Sequence, residues 1–189
     1  MMNELKVKIE GVAPLLMHNV AMANPLGEYR RLTKPITAKR ANKTDADHEM
    51  LALLDWEYGL YTKDGKIIIP DLMFERCLVG AAKNTRKGKQ AASGLVVEGD
   101  AILEFPDMRL SIPDLARLPK YIDTRPVVVD RKRIMRTRPI FYEWAAAFRV
   151  LWDDALLTLD EVNAFIETGG SLCGLGDYRP RFGRFKRVS

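Results

Sequence analysis

TLDEVNAFIETGGSLCGLGDYRPRFGRFKRV, residues 158–188, is the stretch from which the fold is read. Thr158 with Glu161 three residues on makes a capping box, and Leu159, Val162, Phe165 and Ile166 recur at helical spacing. Gly169 and Gly170 are expected to stop this helix. A loop then runs through Gly174, Leu175 and Gly176 to Gly183, and RFGRFKRV reads as a terminal strand. Glycines let backbone approach a neighbour closely and take φ > 0. Arg179, Arg181 and Arg184 alternate with rings beside them.

Working back from this end, residues 126–138 read as a basic β-hairpin with 130–132 near its tip. In 139–152, Phe141, Glu143 and the ring content favour a strand, although the alanines at 145–147 are compatible with helix. Residues 94–105 give two short β-rich runs. In 69–86, Pro70 suits a first helical turn, and Met73, Cys77, Gly80, Ala81 and Asn84 fall at helical spacing ahead of a basic tail. DGKIII (64–69) is a turn into a strand. Thr44 and Asp47 cap a helix to about Tyr58, with Met50, Leu53, Leu54 and Trp56 available for burial. Residues 19–43, rich in Asn, Pro, Thr and basic groups, read as a long loop. LKVKIEGVAPLL (5–16) opens as a half-buried strand and turns at Pro14.

With the insertions set aside, the order is strand, helix, strand, strand, helix, strand. An α+β, ferredoxin-like (RRM-like) core is expected, with an antiparallel sheet carrying both helices on one face. The 189 residues form one domain in this reading, with insertions at about 17–66 and 113–138. The other face of the sheet is then expected to be open to a ligand.

Charge gives the reading its functional direction. The net charge is only +5, but it is sorted. Residues 30–43, 83–89, 113–138 and 178–189 together hold 23 basic and 3 acidic groups, while the other 130 residues carry a net −15. Tyr29, Tyr121, Tyr178, Phe182 and Phe185 are interleaved with the basic runs. Cations neutralise phosphates and aromatic faces stack unpaired bases, so a polyanionic single strand is the expected partner. No apolar run approaches the roughly 18 residues of a membrane span, no basic amphipathic helix accompanies the charge, and no secretory h-region is seen; a cytoplasmic protein without a membrane partner is expected. Two cysteines, Cys77 and Cys173, and two histidines at no ligand spacing imply neither a disulfide framework nor a metal site, and no cofactor is expected.

The Gly174, Leu175, Gly176, Gly183 and Phe185 pattern resembles the C-terminal glycine loop of the RAMP superfamily of CRISPR–Cas systems, with one residue more between Gly176 and Gly183 than the usual form. Ala13, Pro14, Leu15 and Leu16 after the first strand, and Ile69 and Pro70 opening the helix that carries Gly80 and Arg86, are similar to two further segments of that superfamily. Leu72 and Met73 stand where its members usually carry small hydroxyl residues. The likeness is greatest to the backbone subunits that polymerise along guide RNA and carry a hairpin thumb. It implies binding of single-stranded RNA or DNA, assembly with copies of itself and with other effector subunits, or a phage or plasmid relative acting on single strands.

A non-catalytic binder is therefore expected. Phosphate contact falls to Arg30, Arg31, Lys39 and Arg40, to Lys83 and Arg86 at the helix end, and to Arg131, Lys132, Arg133 and Arg136 in the thumb. Arg179, Arg181 and Arg184 line the glycine loop with Gly174 and Gly176. All are expected to share one groove floored by the sheet. One rival is a metal-independent endoribonuclease using His18 as general acid or base, with Tyr29, Lys34 and Lys39 nearby in sequence. Another is a protein-interaction module that mimics or caps an effector subunit.

Overall fold

The computed structural model describes residues 1–129 and 131–188, with the Val129 and Lys132 side chains outside that description. In chain order its principal elements are β1 (Met2–Gly11), α1 (Glu28–Ala38), α2 (Asp45–Gly59), β2 (Lys66–Ile69), α3 (Asp71–Ala82), β3 (Leu95–Val97), β4 (Ile122–Val129), β5 (Lys132–Phe141), β6 (Ala145–Asp153), α4 (Leu159–Thr168) and β7 (Phe185–Arg187). The protein is mixed α and β with antiparallel sheets. It divides into two compact units: Met1–Leu16, Thr62–Pro106 and Phe141–Ser189 form the first, and Met17–Tyr61 with Asp107–Ile140 form the second.

The first unit is built on a four-stranded sheet of order β7-β1-β6-β3, every neighbouring pair antiparallel. β1 and β6 pair along nearly their whole length, from Met2 opposite Asp153 to Glu10 opposite Ala145. Alternation decides the faces: Val7 and Ile9 of β1 and Ala146, Phe148, Val150 and Trp152 of β6 are buried, while Lys6, Lys8 and Ala147 point out. α3 connects β1 to β3 and α4 connects β6 to β7, so each helix joins strands separated by one other strand. Phe74 of α3 stacks on Phe148 with ring centroids 4.2 Å apart, which seats α3 on the buried face. Cys77, Leu78, Ala81 and Ala82 follow it inward, and α4 adds Val162, Phe165 and Ile166. Each such large side chain contributes about 1.5–3 kcal/mol of burial.

Two local expectations change here. Pro70 sits at the N-cap of α3, one residue before the first turn. Gly169 and Gly170 do not stop α4: the chain continues as a π-turn, Gly169–Cys173, and reverses only at Gly174 with φ 71°. Gly170 is there for proximity, since a Cβ would lie 2.3 Å from the Phe185 carbonyl oxygen. The ambiguous 139–152 segment is strand on both sides of a short turn, and in that turn the Trp144 indole donates to the Ala13 carbonyl at 2.9 Å.

The second unit holds α1, α2 and the β4–β5 hairpin, paired from Ile122 opposite Pro139 to Val129 opposite Lys132. α2 starts at the Thr44–Asp47 capping box, with both reciprocal hydrogen bonds formed. Its inward residues are Leu54, Asp55 and Trp56, the Trp56 indole donating to the Tyr121 carbonyl at 2.7 Å; Met50 and Leu53 stay exposed. The expected loop at 19–43 is largely helical: a 3-10 turn at Val20–Ala23, α1, and a second turn at Arg40–Asn42. Tyr29, Thr33 and Ile36 repeat at i, i+4 and i+7; Tyr29 and Ile36 pack with Met22, Leu54 and Tyr58, and the buried Thr33 hydroxyl donates to the Tyr29 carbonyl at 2.8 Å. Tertiary burial holds this helix despite Pro35 in its interior and no side-chain cap at Gly27. Among the described residues no helix is long and apolar enough to cross a membrane.

Candidate nucleic-acid interface

In the first unit the glycine loop is defined by contacts with its own chain. Gly174, Gly176 and Gly183 all have φ between 71° and 76°. A Cβ would fall 2.8 Å from the Phe182 carbonyl oxygen at Gly174, 2.3 Å from that of Leu16 at Gly176, and 1.8 Å from that of Leu175 at Gly183. The Gly183 amide donates to Pro14 at 2.7 Å and that of Asp177 to Leu16 at 2.8 Å. The close approach expected of these glycines is thus made within the chain, by Gly174 to Phe182 and Gly183 of its own loop and by Gly176 to the turn after β1. The loop instead offers the exposed side chains of Arg179, Arg181 and Arg184.

The amide of Gly176 points at the Met73 sulfur, 3.1 Å away, so this loop lies beside the first turns of α3. Lys83 and Arg86, both exposed, lie past the other end of that helix, about 15 Å further along its axis. Arg86 caps the final 3-10 turn with φ 62°. Between the two groups, burial pushes the Cys77 thiol up to about 12, and Cys77 and half-buried Cys173 are both free.

None of the first unit's candidate cations, Lys83, Arg86, Arg179, Arg181 and Arg184, lies on the outward row of its sheet. That row is Glu4, Lys6, Lys8 and Glu10, facing Leu151, Arg149, Ala147 and Ala145. Arg149 pairs with Glu98 and with Glu4, Lys8 lies 3.3 Å from Glu104, and Lys186 lies 3.5 Å from Glu10. A cleft of about 340 Å³ there is lined by Lys6, Lys8 and Arg149 but also by Glu98 and Asp100. Lys6 stands across from Arg149, but carboxylates pair with Arg149, Lys8 and Lys186, so most of the charge on this face is compensated.

In the second unit Arg30 and Arg31 are exposed on α1. Arg131 has φ 64° at the hairpin turn, and Arg133 is exposed just beyond it. Arg40 is exposed with φ 52°. Asp130 and the Lys132 side chain lie outside the described residues.

Two members of the expected set are engaged by carboxylates of the same unit instead. Lys39 pairs with Asp47 at 2.6 Å, and with the Thr44 amide this holds the Asp47 carboxyl down to about 2. Arg136 points into the unit, its Nη1 lying 3.0 Å from Asp55 Oδ1 and 2.9 Å from the Tyr29 hydroxyl oxygen. Tyr29 donates to the same Oδ1 at 2.5 Å, and the Thr137 amide reaches Oδ2 at 3.4 Å. Burial, reinforced by Asp55, pushes the Tyr29 hydroxyl up to about 12.

The aromatic expectation is corrected too. Tyr29, Tyr121, Phe182 and Phe185 are core residues, none more than 8% exposed, and only Tyr178 of the five is open to solvent. Tyr29 is bonded to Asp55, and the His18 backbone carbonyl accepts from the Tyr61 hydroxyl at 3.2 Å.

The Asp55 network escaped the sequence reading, although a signal was present. Asp55 stands between Leu54 and Trp56 on a helix, and a carboxylate on a buried face requires a cationic or hydrogen-bonding partner. The exposed ring of Tyr142 was also passed over. Searched against models of known protein families and against curated proteins, the sequence matches none.

Proposed function

We propose that the protein is a non-catalytic subunit that binds single-stranded nucleic acid, with RNA preferred. In this reading the first unit is a ferredoxin-like core of the RAMP type, and the protein lines up with copies of itself or with other effector subunits along the strand in the cytoplasm. The β7-β1-β6-β3 order, with α3 and α4 each joining strands one apart, supports the core assignment. So does a C-terminal loop whose three glycines have no room for a side chain.

The observation that carries the functional reading is the contrast in charge. On the sheet, Lys8, Arg149 and Lys186 are spent on carboxylates. Arg30, Arg31, Arg40, Lys83, Arg86, Arg131, Arg133, Arg181 and Arg184 are exposed and form no ion pair with another described residue. Such groups release counterions when they meet phosphates. With most of the expected rings in the core, affinity rests on phosphate contact more than on stacking.

Titration of poly(U) and poly(dT) across a salt series tests this. If about five phosphates are engaged, log K falls against log salt with a slope of about −3.5. A slope near zero on both polymers rejects the reading. Digesting the nucleic acid that co-purifies with the protein by RNase and DNase separately identifies the natural strand.

A further inference from the structure

The Asp55 network has an architectural consequence in the second unit. The outer half of the β4–β5 hairpin gains little from burial: Val128 is 70% exposed and Met135 60%. Pro126, opposite Met135, has no amide hydrogen to give to the ladder. Nearer the base, Arg125 stands directly across from Arg136, a like-charge pair that works against the hairpin.

Each of these arginines has a carboxylate. Asp123, two residues from Arg125 on the same strand, takes both its Nε, at 2.6 Å, and its Nη2. Asp55 comes from a different element. It is 4% exposed, and it gathers the Tyr29 hydroxyl of α1, the Arg136 guanidinium of β5 and the Thr137 amide of β5. A second link, between the Thr124 and Thr137 hydroxyls at 2.9 Å, closes the two strands at the same level.

We propose that Asp55 is the positioning residue of the hairpin: it locks the hairpin base onto α1 and α2, so that Arg131 and Arg133 on the hairpin and Arg30 and Arg31 on α1 present their charge as one rigid surface. The effect on binding rests on the function proposed above, whereas the mechanical coupling does not.

The experiment compares the full-length chain with Asp55→Asn, which keeps the size but loses the charge, and with the milder Tyr29→Phe. Hydrogen exchange without nucleic acid is read first. Asp55→Asn should speed exchange of the amides at 122–128 and 133–138 by about tenfold or more, with Tyr29→Phe intermediate and the β1 and β6 amides unchanged. Unchanged hairpin exchange in a folded Asp55→Asn protein overturns the proposal. If Asp55→Asn does not fold, Tyr29→Phe decides alone by the same criterion.

Affinity for oligo(U) at low salt is read second, in wild type, Asp55→Asn, Arg131→Ala/Arg133→Ala and the combination. Asp55→Asn should weaken binding about three- to tenfold, and that loss should vanish once the two hairpin arginines are gone. Losses that simply multiply overturn the positioning role, since a general loss of stability would act alike in both backgrounds. A wild-type protein that binds no oligonucleotide removes the proposed function, and the exchange result still decides whether Asp55 fixes the hairpin.

Discussion

The outer face of the first unit's sheet and the hairpin of the second are both antiparallel β-structure rich in cations, yet they treat charge in opposite ways. On the sheet, Glu4, Glu10, Glu98 and Glu104 lie within reach of Arg149, Lys186 and Lys8, so most of the charge there is compensated. Each carries one like-charge pair across its strands, Lys6 with Arg149 on the sheet and Arg125 with Arg136 on the hairpin. On the hairpin, Asp123 and buried Asp55 take these two arginines, and among the described residues no carboxylate pairs with Arg131 or Arg133 further out. The number of cations does not identify an anion-binding surface; the carboxylates standing across from them do.

The contrast predicts unequal responses to substitution. Asp55→Ala should cost the most, about 3 kcal/mol in urea unfolding, because it strands a partly buried guanidinium and the Tyr29 hydroxyl. A loss as small as that of a surface pair would mean the hairpin base is no better anchored than the sheet's exterior.

A pH effect comes next. Tyr29 ionises near 12 in the folded state against an ordinary 10.0, because it is buried and bonded to Asp55. Between those values the unfolded chain gives up the proton and the folded chain keeps it. The stabilisation is therefore whole below pH 10 and is lost as pH rises through about 12, by up to about 2 kcal/mol. Wild type should lose more stability than Tyr29→Phe across that window in denaturant titrations. Parallel curves would show that the hydroxyl is not held in its neutral form.

Arg131→Ala and Arg133→Ala should leave stability within about 0.5 kcal/mol of wild type. Each should shallow the salt slope of oligo(U) binding by about 0.7. Smallest of all is the sheet: Arg149→Ala should cost under about 1 kcal/mol and leave the slope unchanged. A slope change as large as that of Arg131→Ala would place nucleic acid on the sheet and end the contrast.

How much of this was readable in advance depended on how local the cause was. The two capping boxes, at Thr44 with Asp47 and at Thr158 with Glu161, are satisfied within four residues, so their helices were legible. The alternation of Val7 and Ile9 with Lys6 and Lys8 likewise announced a strand with one buried face. α1 was missed although its residues are amphipathic at helical spacing, because Pro35 in its interior and an uncapped Gly27 start read as loop; Tyr29 and Ile36 pack on Met22, Leu54 and Tyr58. The basic segments were visible as sequence, but the fates of Arg136 and Lys39 were not, since each depends on a carboxylate brought near by folding, 81 and 8 residues away in the chain.

The sequence by itself determined the starts of α2 and α4, the hairpin, the strand alternation and the sorting of charge, all of which follow from neighbours a few residues apart. Only the tertiary structure decided the strand order, which rings were core, and which cations remained exposed. Burial and ion pairing are properties of groups that meet in space, and for Tyr29, Asp55 and Arg136 that meeting is made by three different elements of the fold.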